Sequence, residues 1–327
     1  MCHVSVIVVN TNTRDLVCRC IDSIYANAPK CEFEIIVVDN ASTDRSCEEI
    51  ELRYPAVRLI RNSRNVGFSV ANNYAFEIAL GEHLLLLNSD TIVLPESLDR
   101  LLSALHEDRK VGIVAPKLIY PDGSLQMSYG PMPDLFVTCC SFFDVKRWIP
   151  RSLVRRIGRS TANRVLGKGV SSYVKWFSGD TPRTTKLGKH MLVTGACMLI
   201  RGECFKQVGP LDPTYFMYAD DADYCKRVHD AGWEIQYVAE ASIIHIKGGT
   251  VGEKYRWASP APYYSVFYFL RKHRGRGVSQ VARAMAVASL ALRFLVKVVV
   301  APSKALESWE LLRKVAADTE CSGATNR

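Results

Sequence analysis

VSVIVVNTNTRDLVCRCIDSIYANAPKCEFEIIVVDNASTD, residues 4–44, is the stretch that decides the fold class. It opens on a β-branched run, Val4–Val9. Leu16, Cys20 and Ile24 then recur every four residues, as on one side of a helix that ends near Pro29. A second apolar run, Glu34–Asp39, closes the stretch. Short continuous apolar runs are typical of strands buried on both faces of a parallel sheet. Parallel neighbours need a crossover, which is right-handed and here helical. VRLIRN (57–62), HLLLLN (83–88) and VGIVAP (111–116) repeat the strand pattern, and Val70–Leu80 reads as another helix. The alternation predicts an α/β chain with a doubly wound, mostly parallel sheet flanked by helices. Ligands of such sheets sit beyond the carboxyl ends of the strands, so the polar residues there carry the interest.

The second strand ends in Asp39-Asn40-Ala41-Ser42-Thr43-Asp44. A helix-capping loop explains Ser42 to Asp44; Asp39 is also placed to hydrogen-bond a ligand's base, and both readings stand. The fourth strand ends in Asn88-Ser89-Asp90-Thr91. Asp90 either caps the next helix or serves a divalent ion on a diphosphate, which needs only one or two protein carboxylates. Between these sites, Arg64-Asn65-Val66-Gly67-Phe68-Ser69-Val70-Ala71-Asn72-Asn73 combines a glycine that permits close backbone approach with amides able to bond a sugar or base.

A second ordered block runs from Leu192 to Ile246. GACMLIR (195–201) and EIQYVA (234–239) read as strands, Gly202–Val208 and Asp221–Ala231 as helices. Tyr218-Ala219-Asp220-Asp221-Ala222-Asp223-Tyr224 places three acids within four residues. They suit a helix amino terminus. They equally suit a general base, because neighbouring carboxylates raise one another's pKa. His245 follows a strand and precedes Lys247-Gly248-Gly249-Thr250, where it is either structural or a metal ligand.

These motifs, in this order and spacing, resemble the inverting family 2 glycosyltransferases of the GT-A fold over roughly residues 3–275, nearest the bacterial rhamnosyltransferase-like members. The resemblance implies a nucleotide-sugar-binding half at 1–115 and an acceptor-binding, catalytic half of the same domain at 116–255. It implies that Asp221 is the catalytic base, supported by Asp220 and Asp223. Asn10, Asp39, Asn65, Gly67, Asn72 and Asp90 would bind the donor, Asp39 by reading its pyrimidine. Asp90 and His245 would hold a divalent cofactor, Mg or Mn. The implied reaction moves rhamnose or a similar hexose from a nucleotide diphosphate to a lipid-linked glycan in cell-surface polysaccharide or cell-wall synthesis. A nucleotidyltransferase is the rival enzyme, but Asn10-Thr11-Asn12-Thr13 is not the Gly-rich, basic loop it would carry. A non-catalytic sugar-nucleotide-binding module is the other alternative. One acid at the metal motif, where many relatives have two, departs from the family pattern. Glu253-Lys254-Tyr255-Arg256-Trp257 echoes a signature of processive synthases, with Glu at its first position.

The chain has 327 residues, 48% hydrophobic, enough for a sizeable core. Its formal charge of +9 is local. Residues 145–179 hold nine bases and no acid, and residues 254–306 hold ten and none, which leaves 23 bases against 33 acids elsewhere. No nucleic-acid-binding motif accompanies the charge, so nucleic acid is not an expected partner. Residues 256–327 read as a basic, amphipathic helical tail. Arg283, Arg293 and Lys297 share one arc of a helix over 284–301, opposite Ala, Val, Leu and Met, as in a helix lying on an anionic membrane surface. With no leader at the amino terminus, a cytoplasmic protein peripherally bound to the inner face of the cell membrane is expected. Eleven scattered cysteines without CxxC spacing read as buried thiols.

Overall fold

The computed structural model describes residues 3–144, 183–246 and 259–317. The basic stretch 145–179, the Lys247–Thr250 run and the Glu253–Trp257 echo lie outside the described residues. The chain divides into two compact units. One comprises Met1–Gly130, Pro182–Pro213 and Asp220–Glu253; the other comprises Pro131–Thr181, Thr214–Ala219 and Lys254–Arg327.

The first unit begins with β1 (His3–Asn10), α1 (Arg14–Ala26), β2 (Glu32–Asp39), α2 (Ser46–Arg53), β3 (Arg58–Arg61), α3 (Phe68–Ile78) and β4 (His83–Asn88). It continues through β5 (Thr91–Val93), α4 (Ser97–Glu107), β6 (Val111–Ile119), β7 (Leu125–Gln126) and β8 (Tyr129–Pro131). After α5 (Leu135–Phe142), which belongs to the second unit, come β9 (Thr185–Leu187), β10 (Met191–Val193) and β11 (Cys197–Ile200). The unit ends with α6 (Gly202–Val208), α7 (Asp220–Asp230) and β12 (Glu234–His245).

The ten-stranded sheet runs β3-β2-β1-β4-β11-β6-β12-β5, with β7 beside β6 and β9 beside β12. β1, β2, β3 and β4 are parallel, as the apolar runs predict. β11 runs antiparallel between β4 and β6, so the sheet is mixed. Alternate residues serve the two faces. Val4, Val6, Val8, Ile35, Val37, Leu85 and Leu87 share a core with Val17, Ile21 and Ile24 of α1 and Leu98, Leu101 and Leu105 of α4. On the opposite face α3 packs on β1 and β2, with Ala71 and Ala75 fully buried. The described cysteines are all free. Burial pushes the Cys20 thiol up to about 12, which keeps it protonated and inert.

The second unit contains α5, α8 (Ala261–Arg274), α9 (Arg276–Val300) and α10 (Ala305–Ala317). α9 packs on α5, α8 and α10, and its polar arc points inward. Ser289 Oγ and the Arg293 guanidinium both donate to Phe142 O, the last carbonyl of α5, the former at 2.7 Å. Arg283 Nη2 donates to Ala316 O near the end of α10 at 2.7 Å, and Lys297 Nζ to Ser308 Oγ at 2.6 Å. Ser279 Oγ donates to Phe267 O at 2.8 Å. This reverses the orientation expected from sequence, in which the arc meets lipid headgroups. For Arg283, Ser289 and Arg293 the physical reason is that helix carboxyl ends present carbonyls without intrahelical partners, which attract cations and hydroxyls. Among the described residues no helix is long and apolar enough to cross a membrane.

Candidate active site

Register brings the carboxyl ends of β1, β2 and β4 to one edge: Asn10 pairs with Asp39, and Val9 with Asn88. Asn10 Nδ2 donates to Asp39 Oδ2 at 2.8 Å and to Ser42 Oγ at 3.1 Å, while its Oδ1 accepts from Thr13 Oγ1 at 2.6 Å. Asp39 Oδ1 accepts from Ser42 N at 2.8 Å. Asn10 and Asp39 are both buried. The Asn10 amide therefore orients Asp39 rather than reaching outward itself.

The loop before α3 is built around Gly67, whose φ of +87° is one that L residues rarely adopt. Asn65 Oδ1 accepts from Gly67 N at 2.9 Å. Asn72 is buried and donates back to Phe68 O at 2.8 Å, so it is occupied within its own helix. Asn73, not singled out from sequence, exchanges two hydrogen bonds with the Leu211 backbone, at 2.8 and 3.0 Å, and ties α3 to the loop before α7.

Asp90 and His245 meet because β5 pairs antiparallel with β12, setting Thr91 opposite His245. Asp90 Oδ1 lies 3.2 Å from His245 Nε2. On the other side of the ring, His245 Nδ1 lies 2.6 Å from Oε1 of Gln126, itself buried. A ring that donates to this oxygen through Nδ1 would turn its Nε2 lone pair toward Asp90. One imidazole nitrogen and one carboxylate oxygen are then presented side by side, as a shared divalent ion requires. Among the described residues no group of three His, Cys, Asp or Glu side chains converges as a metal cage. The pair fits an ion whose remaining ligands are phosphate oxygens and water, which is how Mg and Mn sites on nucleotides are commonly completed. Gln126 carried no sequence signal. It occupies a two-residue strand, and only the pairing of both β7 and β12 with β6 brings it to His245.

The three acids at the start of α7 separate by environment. Asp223 is fully buried, and its Oδ2 accepts from Arg227 Nε at 2.8 Å. Arg227 also donates to the carbonyls of Val208 and Pro210 at 3.0 and 2.9 Å, so this pair fastens the loop before the helix. Asp220 is buried as well. Burial first, and the Asp221 carboxylate second, hold its pKa well above the carboxylate range. Asp221 is half-buried, and its Oδ2 accepts from Gly195 N at 3.2 Å. Tyr218 and Ala219 just before the helix have φ of +70° and +58°, the kind of backbone strain that collects at functional sites.

Gly195 joins the two halves of the site. It lies just ahead of β11, where Asn88 N donates to Ala196 O at 3.0 Å, so it stands at the carboxyl end of β4. A Cβ placed on Gly195 would meet Asp221 Cβ at 3.7 Å and the Phe68 ring at 3.8 Å. The loop carrying Asn65 and Gly67 and the carboxylate of Asp221 thus converge on one point. Phe68 and Gly195 were quoted within motifs, yet nothing in the sequence assigned them a place here.

The sequence profile of the family described as glycosyl transferase family 2 matches residues 5–179. The chain belongs to that family. A further profile, glycosyltransferase like family 2, matches residues 131–288. The glycosyltransferase is 29% identical over 262 residues to the N-acetylglucosaminyl-diphospho-decaprenol L-rhamnosyltransferase of Mycobacterium tuberculosis, an alignment covering 74% of this chain and 76% of the relative. Among solved structures it is similar to the mannosyltransferase PcManGT of Pyrobaculum calidifontis, in complex with GDP-Man and Mn2+, at TM-score 0.56 and 16% identity. That match covers 97% of this chain and 88% of the other. It is also similar to GalNAc-T7, crystallised with UDP, GalNAc and Mn2+, at TM-score 0.56 and 16% identity, covering 83% of this chain and about half (48%) of that one. The mixed sheet flanked by helices is the GT-A fold of these glycosyltransferases.

Proposed function

We propose that the glycosyltransferase moves rhamnose or a similar hexose from a nucleotide diphosphate to a hydroxyl of a lipid-linked glycan, with Asp221 as base. The convergence of Asp221, Gly195 and Phe68 at the carboxyl end of β4 carries this reading, because it sets a proton acceptor beside the donor-side loop. Asp39, held by Asn10 and Ser42, is the residue for the donor's base. Asp90 and His245 would hold a divalent ion, which when bound supplies positive charge to the leaving diphosphate. An acceptor hydroxyl is too weak an acid to ionise freely, and proton removal by a placed carboxylate is worth roughly 10²–10⁴-fold. With the pKa of Asp220 raised by burial, Asp221 is the more readily ionised of the two and the carboxylate available for that proton. Attack from the side opposite the leaving group inverts the anomeric carbon. The printed name of the mycobacterial relative, which specifies a diphospho-decaprenol acceptor, supports the lipid-linked acceptor. It fits a protein working peripherally at the cytoplasmic face of a membrane.

Turnover is tested with a panel of dTDP-rhamnose, UDP-glucose, UDP-galactose and GDP-mannose, in the presence of membrane extract and Mn2+. Transfer from at least one donor is expected. Asp221→Asn is expected to keep donor affinity and lose transfer by roughly 10²–10⁴-fold. Transfer by that variant at the wild-type rate would remove Asp221 from the role. Nucleotide binding without transfer from any donor would favour a sugar-nucleotide-binding module.

A further inference from the structure

α9 is amphipathic in the reverse sense to a surface helix. Its inward arc holds Ser279, Arg283, Ser289, Arg293 and Lys297, each bonded to an acceptor within the second unit. Its outward side is aliphatic: Val281, Leu292, Leu295, Val296, Val299 and Val300 are between 49% and 81% exposed. Val281, Leu292, Leu295 and Val299 share one stripe on a helix about 37 Å long by the rise per residue, and Val296 and Val300 lie toward the polar arc near its end. Leu306 and Trp309 of α10 are exposed as well, and the Trp309 ring lies 5.3 Å from that of Phe294, on the side of α9 away from this stripe. An exposed aliphatic stripe of this length marks an interaction site.

We propose that this outward face of α9 inserts into the interfacial layer of an anionic bilayer, lying parallel to the surface. Two observations select lipid as the occupant. Charges between Gln280 and Val300 are satisfied on the inside, so none has to be stripped of water when the outer side enters hydrocarbon. The exposed Arg274 and Arg276 stand at the amino-terminal end of α9, and residues 254–306 contain no acid to oppose an anionic headgroup, the exposed Glu307 and Glu310 coming only on α10. The reading differs from a basic face resting on lipid, because here the basic residues of α9 hold the helix in place and the aliphatic side makes the contact. It rests on the lipid-linked acceptor proposed above only for its purpose, not for its geometry.

The test is co-sedimentation of the full chain with phosphatidylglycerol–phosphatidylcholine vesicles and with phosphatidylcholine vesicles alone. Binding to the mixed vesicles is expected. Leu295→Glu combined with Val299→Glu should weaken it at least tenfold, with the melting temperature and turnover on a water-soluble acceptor unchanged. Arg274→Gln with Arg276→Gln should remove the preference for the anionic vesicles. Lys297→Gln should lower the melting temperature and leave vesicle binding of the folded protein intact. Loss of vesicle binding by Lys297→Gln without destabilisation would assign the contact to the basic arc and overturn the proposal. So would wild-type vesicle binding by the double glutamate variant, or a dimer that this variant dissociates while neither protein binds vesicles. Vesicle binding without turnover on any donor would instead strike the substrate reading and leave this surface standing.

Discussion

At the scale of single residues, the site is a set of side chains fixed by neighbours that do not reach outward themselves. Gln126 is the clearest instance. Leucine at this position removes the acceptor for His245 Nδ1 and frees the ring to turn or change tautomer. Supporting groups of this kind are worth roughly 10–100-fold in metal affinity. Gln126→Leu is therefore expected to weaken Mn2+ binding about tenfold, read by Mn2+ electron paramagnetic resonance or calorimetry, with little change in melting temperature. Unchanged Mn2+ affinity would reduce Gln126 to a packing role. Asp220 gives a prediction in pH. Its folded pKa lies above the unfolded value, so its stabilising contribution is complete below the unfolded pKa and is lost as pH rises toward the folded one. Asparagine imitates the protonated acid and escapes that loss. The melting temperature of Asp220→Asn should rise above wild type by roughly a few degrees at pH 8, with a smaller gap at pH 5. A gap that does not grow with pH would mean that Asp220 is not the proton-holding member of the cluster. Asp39, Asp90 and Asp221 were visible in the sequence because each stands where a strand or helix signal begins or ends. Gln126 was not, because its neighbour lies more than a hundred residues away.

The elements show where local pattern suffices and where it fails. β1 to β3 and α1 follow from apolar spacing and are buried by partners near them in sequence, whereas β4 shows the same spacing but pairs with the distant β1 and β11. α7 is similarly legible, but the division of labour among its acids is not. Asp223→Ala would leave Arg227 without its carboxylate, still facing the carbonyls of Val208 and Pro210. Breaking a buried pair costs about 3–5 kcal/mol, and the partial exposure of Arg227 places this one at about 3 kcal/mol. Urea unfolding should show that loss, and a change under about 1 kcal/mol would mean that the pair is dispensable. β5, only three residues, was missed for want of length, although it sets Asp90 beside His245. Gly195–Arg201 was read as a strand, but its direction could not be. A run of apolar residues does not state which neighbours it will pair with. For α9 the period was right and the sense was inverted, because the wheel reports two faces and does not know that carbonyl groups wait on one of them.

Across the whole molecule, the residues proposed for the donor come from the first 90 positions and the proposed base and histidine from positions after 220. A nucleotide diphosphate with Mn2+ would engage both sets, and a ligand that binds only the folded state stabilises it by about 2.7 kcal/mol at a hundred times its Kd. UDP or dTDP with Mn2+ is expected to raise the melting temperature by several degrees, and nucleotide with excess chelator by much less. Equal shifts with and without the ion would separate donor binding from Asp90 and His245. The antiparallel β11 has a consequence for how the chain comes into being. Leu87 of β4 finds its partner in Cys197, about 110 residues later. At ribosomal speeds of 5–20 residues per second, the leucine-rich edge of β4 goes uncovered for roughly 5–20 s. Unpaired edges of this kind recruit other strands. The nascent chain should therefore depend on chaperones over that interval, and rare-codon pauses between residues 90 and 197 would cost yield before they cost activity.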